Sequence, residues 1–210
     1  MDPSLARGAS IVLFAYFLGS VPFGLLVAHL FDRTVSLRDV GSGNIGATNV
    51  MRAVGKAGGI LTLLLDAGKG IFAMGLAYML IEGRIDHWLA LVGGAVFLGH
   101  VFSIYMHFKG GKGVATALGV VLFLSPVTAF VLVVLFVAVV YFTRYVSLAS
   151  LCAAVALPVM MAFLATSRHY VTLSLVMAFV VVYTHRENIK LLVAGQERKF
   201  GEPRPPAPGG

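Results

Sequence analysis

Apolar residues come in six long runs, at about 9–31, 57–81, 88–107, 114–142, 147–165 and 170–184, separated by short polar pieces. Runs of this length exceed what a barrel strand needs. They also leave no room for unpaired backbone in lipid, so each is predicted to be a membrane helix. The run 114–142 is ambiguous. Its 29 residues would make a helix of ~43 Å against a hydrocarbon core of ~30 Å. Ser125-Pro126 lies within it, and the residue before a proline disfavours helix. One kinked helix there gives six spans; two helices hinged near residue 125 give seven.

The distribution of Lys and Arg decides between them. With seven spans, one side carries twelve: Arg33, Arg38, Arg52, Lys56, Lys109, Lys112, Arg144, Arg186, Lys190, Arg198, Lys199 and Arg204. The other carries Arg7, Arg84 and Arg168, and Lys69 lies inside a span. With six spans the split is seven against eight, which is no bias. The positive-inside rule therefore favours an all-α integral membrane protein of about seven transmembrane helices, N-terminus outside and C-terminus cytoplasmic. The helix over about 113–124 would then be short for a crossing, and must thin the bilayer or be shielded by its neighbours.

Composition agrees. Of 210 residues, 59% are hydrophobic and 12% charged, with a mean hydropathy of +0.91. A disordered chain, a disulfide scaffold and almost any soluble enzyme are excluded. The net charge of +7 is accounted for by the inside loops and anionic lipid, so nucleic acid is not implied. Cys152 is the single cysteine, leaving no internal disulfide and no cysteine metal site. Residues 1–199 read as one polytopic membrane domain, and 200–210, ending in Pro-Pro-Ala-Pro-Gly-Gly, as a disordered tail.

Three polar constellations could carry chemistry. Gly41-Ser42-Gly43-Asn44-Ile45-Gly46-Ala47-Thr48-Asn49 with Arg52 combines glycines for close backbone approach, neutral donors and a guanidinium fork suited to phosphate. Phe108-Lys109-Gly110-Gly111-Lys112-Gly113 precedes an apolar helix, where N–H groups, the dipole and lysine suit an anion. It is not a Walker A loop. His185-Arg186-Glu187-Asn188 follows the last span and puts His185 and Asn188 on one helix face. Each also has a plain structural reading as a capped or positively charged loop. Arg144, Ser147 and Ser150 make a smaller cluster, equally readable as a loop arginine with packing serines. Asp66 and Lys69 lie deep in the second run, where ionisable residues cost ~2.5–3.5 kcal/mol each, and structural and functional readings balance. His100 reads as a packed, hydrogen-bonded residue.

Only the seven-span topology puts all three constellations and Arg144 on one face. What gathers there is an anion site, with phosphate as the natural ligand and room for two. Nucleophile elbows, metalloprotease motifs and acid-histidine acyltransferase motifs are missing from the sequence. Chemistry without metal, cofactor or covalent enzyme intermediate is expected, on a substrate that arrives activated.

In order, Ser42-Gly43-Asn44-x-Gly46-x-Thr48-Asn49-x-x-Arg52, Gly99-His100-x-Phe102 with Phe108-Lys109-Gly110-Gly111-Lys112-Gly113-Val114-Ala115-Thr116, and His185-Arg186-x-Asn188-Ile189 resemble the motifs of the bacterial acyl-phosphate:glycerol-3-phosphate acyltransferases, the PlsY family. The likeness runs from the first span to about Lys199. Arg144-Tyr145-Val146-Ser147-Leu148-x-Ser150 and Asp66-x-x-Lys69-Gly70 look like family patterns too. The resemblance implies a seven-span inner-membrane enzyme with its motifs at the cytoplasmic face. It would move a long-chain acyl group from acyl phosphate to the 1-hydroxyl of glycerol 3-phosphate, giving lysophosphatidate and phosphate, with no metal or cofactor. It also implies that Ser42, Arg52, Lys112, His185 and Asn188 bind glycerol 3-phosphate or polarise the reacting groups. Gly110, Gly111, Lys112 and Gly113 would hold the acyl-phosphate headgroup. Gly43, Asn44, Thr48, Asn49, Lys109 and Arg186 would add binding contacts, and Ser150 a more distant one.

Two positions depart from the pattern. Ser103 stands where proline is usual. Leu191 stands where arginine is common, with Lys190 as a partial replacement. For the proton acceptor, the substrate's own phosphate is favoured over His185, because His185 lies among cations that disfavour its protonated form. The oligomeric state is open, a monomer being the simplest expectation. A transporter of a phosphorylated metabolite is the alternative from another class, supported by the Asp66/Lys69 pair and opposed by the absence of inverted repeats and of midplane polarity.

Overall fold

A computed structural model describes residues 3–81 and 85–202. The tail over 203–210, and Arg84 and Arg204 of the charge count, lie outside the described residues. The described chain is all helix, turn and loop: α1 Pro3–Ser20, α2 Phe23–Phe31, α3 Ala47–Val54, α4 Lys56–Leu80, α5 Ile85–Val101, α6 Val114–Leu124, α7 Pro126–Thr143, α8 Val146–Leu164, α9 Arg168–Thr184 and α10 Arg186–Val193. Five segments among the described residues are long and apolar enough to cross a membrane: Ser4–Phe31, Lys56–Leu80, Ile85–Met106, Pro126–Thr143 and Val146–Leu164. The apolar helices α6 and α9 are shorter. Phe142, Phe163 and Phe179 point outward at 74–81% exposure, the surface expected of a chain solvated by lipid.

The 114–142 run does break at Ser125-Pro126. Pro126 takes the first helical position of α7, where a missing N–H costs nothing, and Ser125 leaves the helical region. The Ser125 and Thr128 hydroxyls pair at 2.8 Å across the break. The chain doubles back here, because the start of α6 and the start of α8 line the same cavity. At ~16 Å, α6 is half the thickness of a hydrocarbon core. It is shielded rather than stretched: Thr116, Ala117, Gly119, Val120 and Val121 are buried. Contact with α4 is backbone to backbone, and a Cβ on Gly119 would lie 2.0 Å from the Ala67 carbonyl oxygen.

A second break falls inside the first apolar run, which reads as one continuous span in sequence. Pro22 separates α1 from α2. Proline has no N–H and cannot continue the helical ladder. The Val21 carbonyl accepts a hydrogen bond from Lys69 Nζ at 3.1 Å.

The main core packs Phe97, Met74, Val96, Val120, Met161 and Met177 from α4, α5, α6, α8 and α9. A smaller one, Val27, Ala28, Leu37, Ile45 and Val50, clamps the first polar loop against α2 and α3. Within the bundle, Lys69 Nζ lies 2.8 Å from Asp66 Oδ1, an ion contact rather than a directed hydrogen bond, and 3.0 Å from His100 Nδ1. His100 is thus a packed, hydrogen-bonded residue, as the sequence suggests. The cluster also reaches two polar segments through backbone: the Asp66 carbonyl accepts from Thr116 Oγ1, and the His100 carbonyl from the Gly111 N–H.

Removing one member of a buried ion pair leaves the other uncompensated, whereas removing both is often neutral. Lys69→Met is expected to destabilise the fold by ~3–5 kcal/mol, and Asp66→Leu with Lys69→Met to recover most of that loss. Thermal unfolding in detergent reads both. Gly119→Val should cost ~1–3 kcal/mol by overpacking α6 against α4.

Candidate functional site

The first polar loop is organised by Asn49. Its Nδ2 donates to the Leu37 and Asn44 carbonyls at 3.0 and 2.8 Å, and its Oδ1 accepts from the Ser42 N–H at 3.1 Å. Asn49 is 2% exposed, so its polar atoms shape the loop instead of facing outward. The Asn44 Oδ1 accepts from the Gly46 N–H at 2.8 Å, a local Asx turn. Gly41 and Gly43 take φ of +57° and +66°, the left-handed region that glycine enters without penalty. Thr48 and Arg52 are four apart on α3 and share a face. Gly41, Ser42, Asn44, Gly46, Thr48 and Arg52 line a polar cavity of about 360 Å³. Gly43 packs over the Arg38 backbone and is not part of its lining.

The second loop differs from the sequence expectation. The Gly110 and Gly111 N–H groups donate to the Val101 and His100 carbonyls, both at 3.0 Å, and so are engaged with the end of α5. A Cβ on Gly111 would meet His100 Nε2 at 2.1 Å. These glycines let the loop lie flat on α5. The groups that face the cavity are Lys112, Gly113, Val114 and Ala115, at the start of α6. Lys109 is exposed, and its carbonyl accepts from Arg38.

The third motif straddles the α9–α10 junction. His185 Nδ1 lies 2.8 Å from the Val181 carbonyl. That acceptor requires the proton on Nδ1, which leaves Nε2 of the neutral ring with a lone pair. Lys112 Nζ donates to Asn188 Oδ1 at 2.5 Å, and Asn188 Nδ2 to Glu197 Oε1 at 2.8 Å. Arg186 turns away, stacking on Tyr183 at 4.7 Å. Lys190 pairs with Glu187 at 3.1 Å, 72% exposed, so it does not replace the arginine missing at Leu191. Leu191 itself lines the cavity. Ser103, at the other departure, is buried and donates to the Ser20 carbonyl at 2.5 Å.

The cavity therefore gathers Ser42, Asn44, Thr48, Asn49, Arg52, Lys112, Gly113, Ser150, His185 and Asn188, and leaves Gly43, Lys109, Gly110, Gly111 and Arg186 outside its wall. Arg144 is outside as well; its guanidinium and carbonyl both bond the Phe200 backbone. Ser147 of the smaller cluster lines it too, and three polar contributors are not identified by the sequence motifs: Gln196, Glu197 and Arg198. These three arrive through a Schellman turn. Gly195 has φ of +67°, the Gln196 N–H bonds the Leu191 carbonyl and the Gly195 N–H that of Leu192. A glycine just past a helical stretch is the sequence signal for that reversal. Residues 200–202, assigned to the tail by composition, begin by pairing with Arg144.

Electrostatics favour an anion. Arg52 is pulled below its usual range by burial and then by Arg198, and Lys112 by burial, with Glu197 opposing. His185 is pushed down to about 4 by burial, then by the Lys112 charge, while its bond to Val181 resists. Its ring is therefore neutral at physiological pH. Among the described residues, no three His, Cys, Asp or Glu side chains come together to hold a metal ion.

The polar cavity runs into an apolar groove of about 410 Å³, sharing Thr48, Leu63, Val114, Phe136, Val146 and Ser150 with it. Ile60 and Leu63 of α4 and Val133 and Val137 of α7 line the groove at 40–57% exposure, so it opens sideways between those helices. Along α8 the groove runs from Val146 to Leu157, ~16 Å by helical rise.

Residues 9–195 match the family model for glycerol-3-phosphate acyltransferase. The glycerol-3-phosphate acyltransferase of Geobacter sulfurreducens is 48% identical over 186 residues, covering 89% of this chain and 94% of the relative. That of Bordetella pertussis is 42% identical over 205 residues, covering 95% of each. Among solved structures, the glycerol 3-phosphate form of PlsY, an integral membrane glycerol 3-phosphate acyltransferase, superposes with a TM-score of 0.86 at 40% identity. It covers 92% of this chain and 96% of that one. The lysophosphatidic acid form gives 0.84 at 38%, covering 92% and 95%.

Because His185 titrates near 4 when folded and near 6.5 when unfolded, the unfolded chain binds its proton first as pH falls. Stability conferred by neutral His185 is full above pH 6.5 and declines down to about 4, by ~3 kcal/mol. Thermal unfolding between pH 7.5 and 4.5 should show a decline in the wild type that His185→Gln lessens.

Proposed function

The chain belongs to the glycerol-3-phosphate acyltransferase family and is an integral membrane acyltransferase, and we propose that its acyl donor is a long-chain acyl phosphate. In this reading the 1-hydroxyl of glycerol 3-phosphate attacks the donor carbonyl, and the products are lysophosphatidate and inorganic phosphate. The observation that carries the reading is the joining of a cationic cavity to an apolar groove. A small polyanion suits the first and an alkyl tail the second, and the reacting carbonyl belongs at their border. The glycerol 3-phosphate and lysophosphatidic acid forms of the PlsY relative match an acceptor and a product of this kind.

Arg52 and Lys112 would neutralise the glycerol phosphate, with Asn188 aiming the lysine through its 2.5 Å hydrogen bond. Ser42, Asn44 and Thr48 would orient the glycerol. The first turn of α6, from Gly113, offers N–H groups and a positive dipole end to the donor's phosphate. His185 Nε2, an acceptor, would hold the attacking hydroxyl by its hydrogen. A base whose conjugate acid titrates near 4 is weak, so the proton leaves with the donor's phosphate. Acyl phosphate is a mixed anhydride and needs no further activation. The basic loops and the cluster of motifs at one end of the bundle support a site facing the cytoplasm of a bacterial inner membrane.

Purified protein in detergent, given labelled glycerol 3-phosphate and no added metal, should form lysophosphatidate from palmitoyl phosphate. It should form none from palmitoyl-CoA or palmitoyl carrier protein. Product from either of the latter alone overturns the donor assignment. Arg52→Ala should lower kcat/KM by ~10- to 100-fold through lost charge-assisted bonds to phosphate. His185→Ala with unchanged glycerol 3-phosphate affinity and collapsed turnover would overturn the role of the phosphate as proton acceptor.

A further inference from the structure

The chain does not leave the site when α10 ends. Beyond Gly195, Gln196, Glu197 and Arg198 line the polar cavity and Phe200 lines the apolar groove. The strap over 196–200 therefore crosses the border between the two. It is anchored at both ends. On one side Glu197 Oε1 accepts from Asn188 Nδ2 of α10 at 2.8 Å. On the other, Phe200 clasps the turn between α7 and α8. Its N–H donates to the Arg144 carbonyl at 2.6 Å, and its carbonyl accepts from Arg144 Nη2 at 3.0 Å. Beside this clasp, Lys199 Nζ lies 5.8 Å from the centre of the Tyr145 ring, a cation–π contact.

The walls joined in this way belong to the site. Asn188 lines the cavity, and Val146, two residues beyond Arg144, lines both cavity and groove. Arg52 of α3 feels the charges of Arg198, Glu197 and Glu202, so the strap also passes a third wall. Arg198, Lys199 and Phe200 are exposed, as the outer layer of a cavity must be. Arg144 takes φ of +62°, a conformation glycine enters freely and other residues at a cost. The residue placed there is one whose side chain can complete the clasp.

What lies under the strap, with the tail in the groove and the phosphate in the cavity, is the reactive carbonyl. Water can attack it in place of the glycerol hydroxyl. The water oxygen bonds to the carbonyl carbon, and the bond from carbon to the phosphate oxygen breaks. Phosphate departs with that electron pair and takes the proton from the water. Fatty acid and hydrogen phosphate result, nothing is oxidised or reduced, and the activated acyl group is wasted. Covering segments at active sites prevent hydrolysis of this kind by excluding water. We infer that Phe200 is a specificity-determining residue that shuts water out of the border, so that the glycerol hydroxyl is acylated and water is not, and that Arg144 is a positioning residue holding Phe200 in place. The inference rests on the acyl-phosphate reading above.

The test gives labelled palmitoyl phosphate to wild type, Phe200→Ala, Phe200→Leu and Arg144→Ala at saturating glycerol 3-phosphate. Palmitate and lysophosphatidate are counted together, beside thermal unfolding in detergent, and hydrolysis with heat-inactivated protein is subtracted. Phe200→Ala and Arg144→Ala should each raise the ratio of palmitate to lysophosphatidate by ~3- to 10-fold. Phe200→Leu, which keeps an apolar cover, should stay near the wild-type ratio. A strap with a merely structural role would lower both products together and leave the ratio alone. An unchanged ratio in Phe200→Ala and Arg144→Ala therefore overturns the inference, whatever their turnover. A ratio that rises as far in Phe200→Leu as in Phe200→Ala overturns it too. Should Phe200→Ala unfold, Arg144→Ala decides, since its backbone carbonyl still receives the Phe200 N–H. Wild type inert with palmitoyl phosphate but active with palmitoyl-CoA would sink the donor assignment alone. The same product ratio on the thioester would then decide Phe200.

Discussion

One ammonium group inside the bundle ties the site to the fold. Lys69 cannot be left unpaired among apolar helices, because the cost of stripping its water must be offset by ligands of the right geometry. It finds them on two helices and in the break between α1 and α2: Asp66 on its own α4, His100 on α5, and the Val21 carbonyl beside Pro22. Each of those contacts reaches further. Asp66 holds the first turn of α6 through Thr116, and His100 receives the glycine loop on its carbonyl. Asp66 and His100 also floor the polar cavity. The position of Lys112, which brings an ammonium to the cavity wall, is thus referred back to a buried charge two helices away.

The second organising constraint is the doubling of the chain at Ser125-Pro126. It brings the starts of α6 and α8 to the same end of the bundle and stands α7 opposite α4 with a gap between them. A polar pocket alone would suit a soluble metabolite, and an apolar groove alone would suit lipid. Their junction defines a place where a hydrophilic acceptor and a hydrophobic donor can touch.

The sequence points to the segments that line the cavity more directly than to the side chains that face it. The Ser125-Pro126 break was legible, because proline excludes one continuous helix and the lysine and arginine distribution needs two. The Val21-Pro22 break obeys the same rule within a run whose length alone suggests one span. Glycines were ambiguous in a physical sense: the same missing side chain allows a left-handed turn against Phe97 at Gly113, which lines the cavity, and close packing on α5 at Gly110 and Gly111, which do not. Charge was ambiguous likewise. Lys109, Arg144, Arg186 and Lys190 belong to the basic face by count, but Lys109 is exposed outside the pocket, and the side chains of the other three turn to a backbone, a ring or a carboxylate. Glu197 and Arg198 enter from beyond α10, at a distance in sequence that no local motif spans.

The sideways opening of the groove between α4 and α7 changes what concentration means for this protein. If the donor is the acyl phosphate proposed above, a tail entering there would come from the bilayer without crossing water, and the quantity that loads the groove would be the mole fraction of donor among neighbouring lipids. The acceptor would arrive in three dimensions and the donor in two. A cell could then alter flux through this site by expanding or diluting its membrane while every soluble pool stays constant, a form of control that belongs to surfaces and not to solutions.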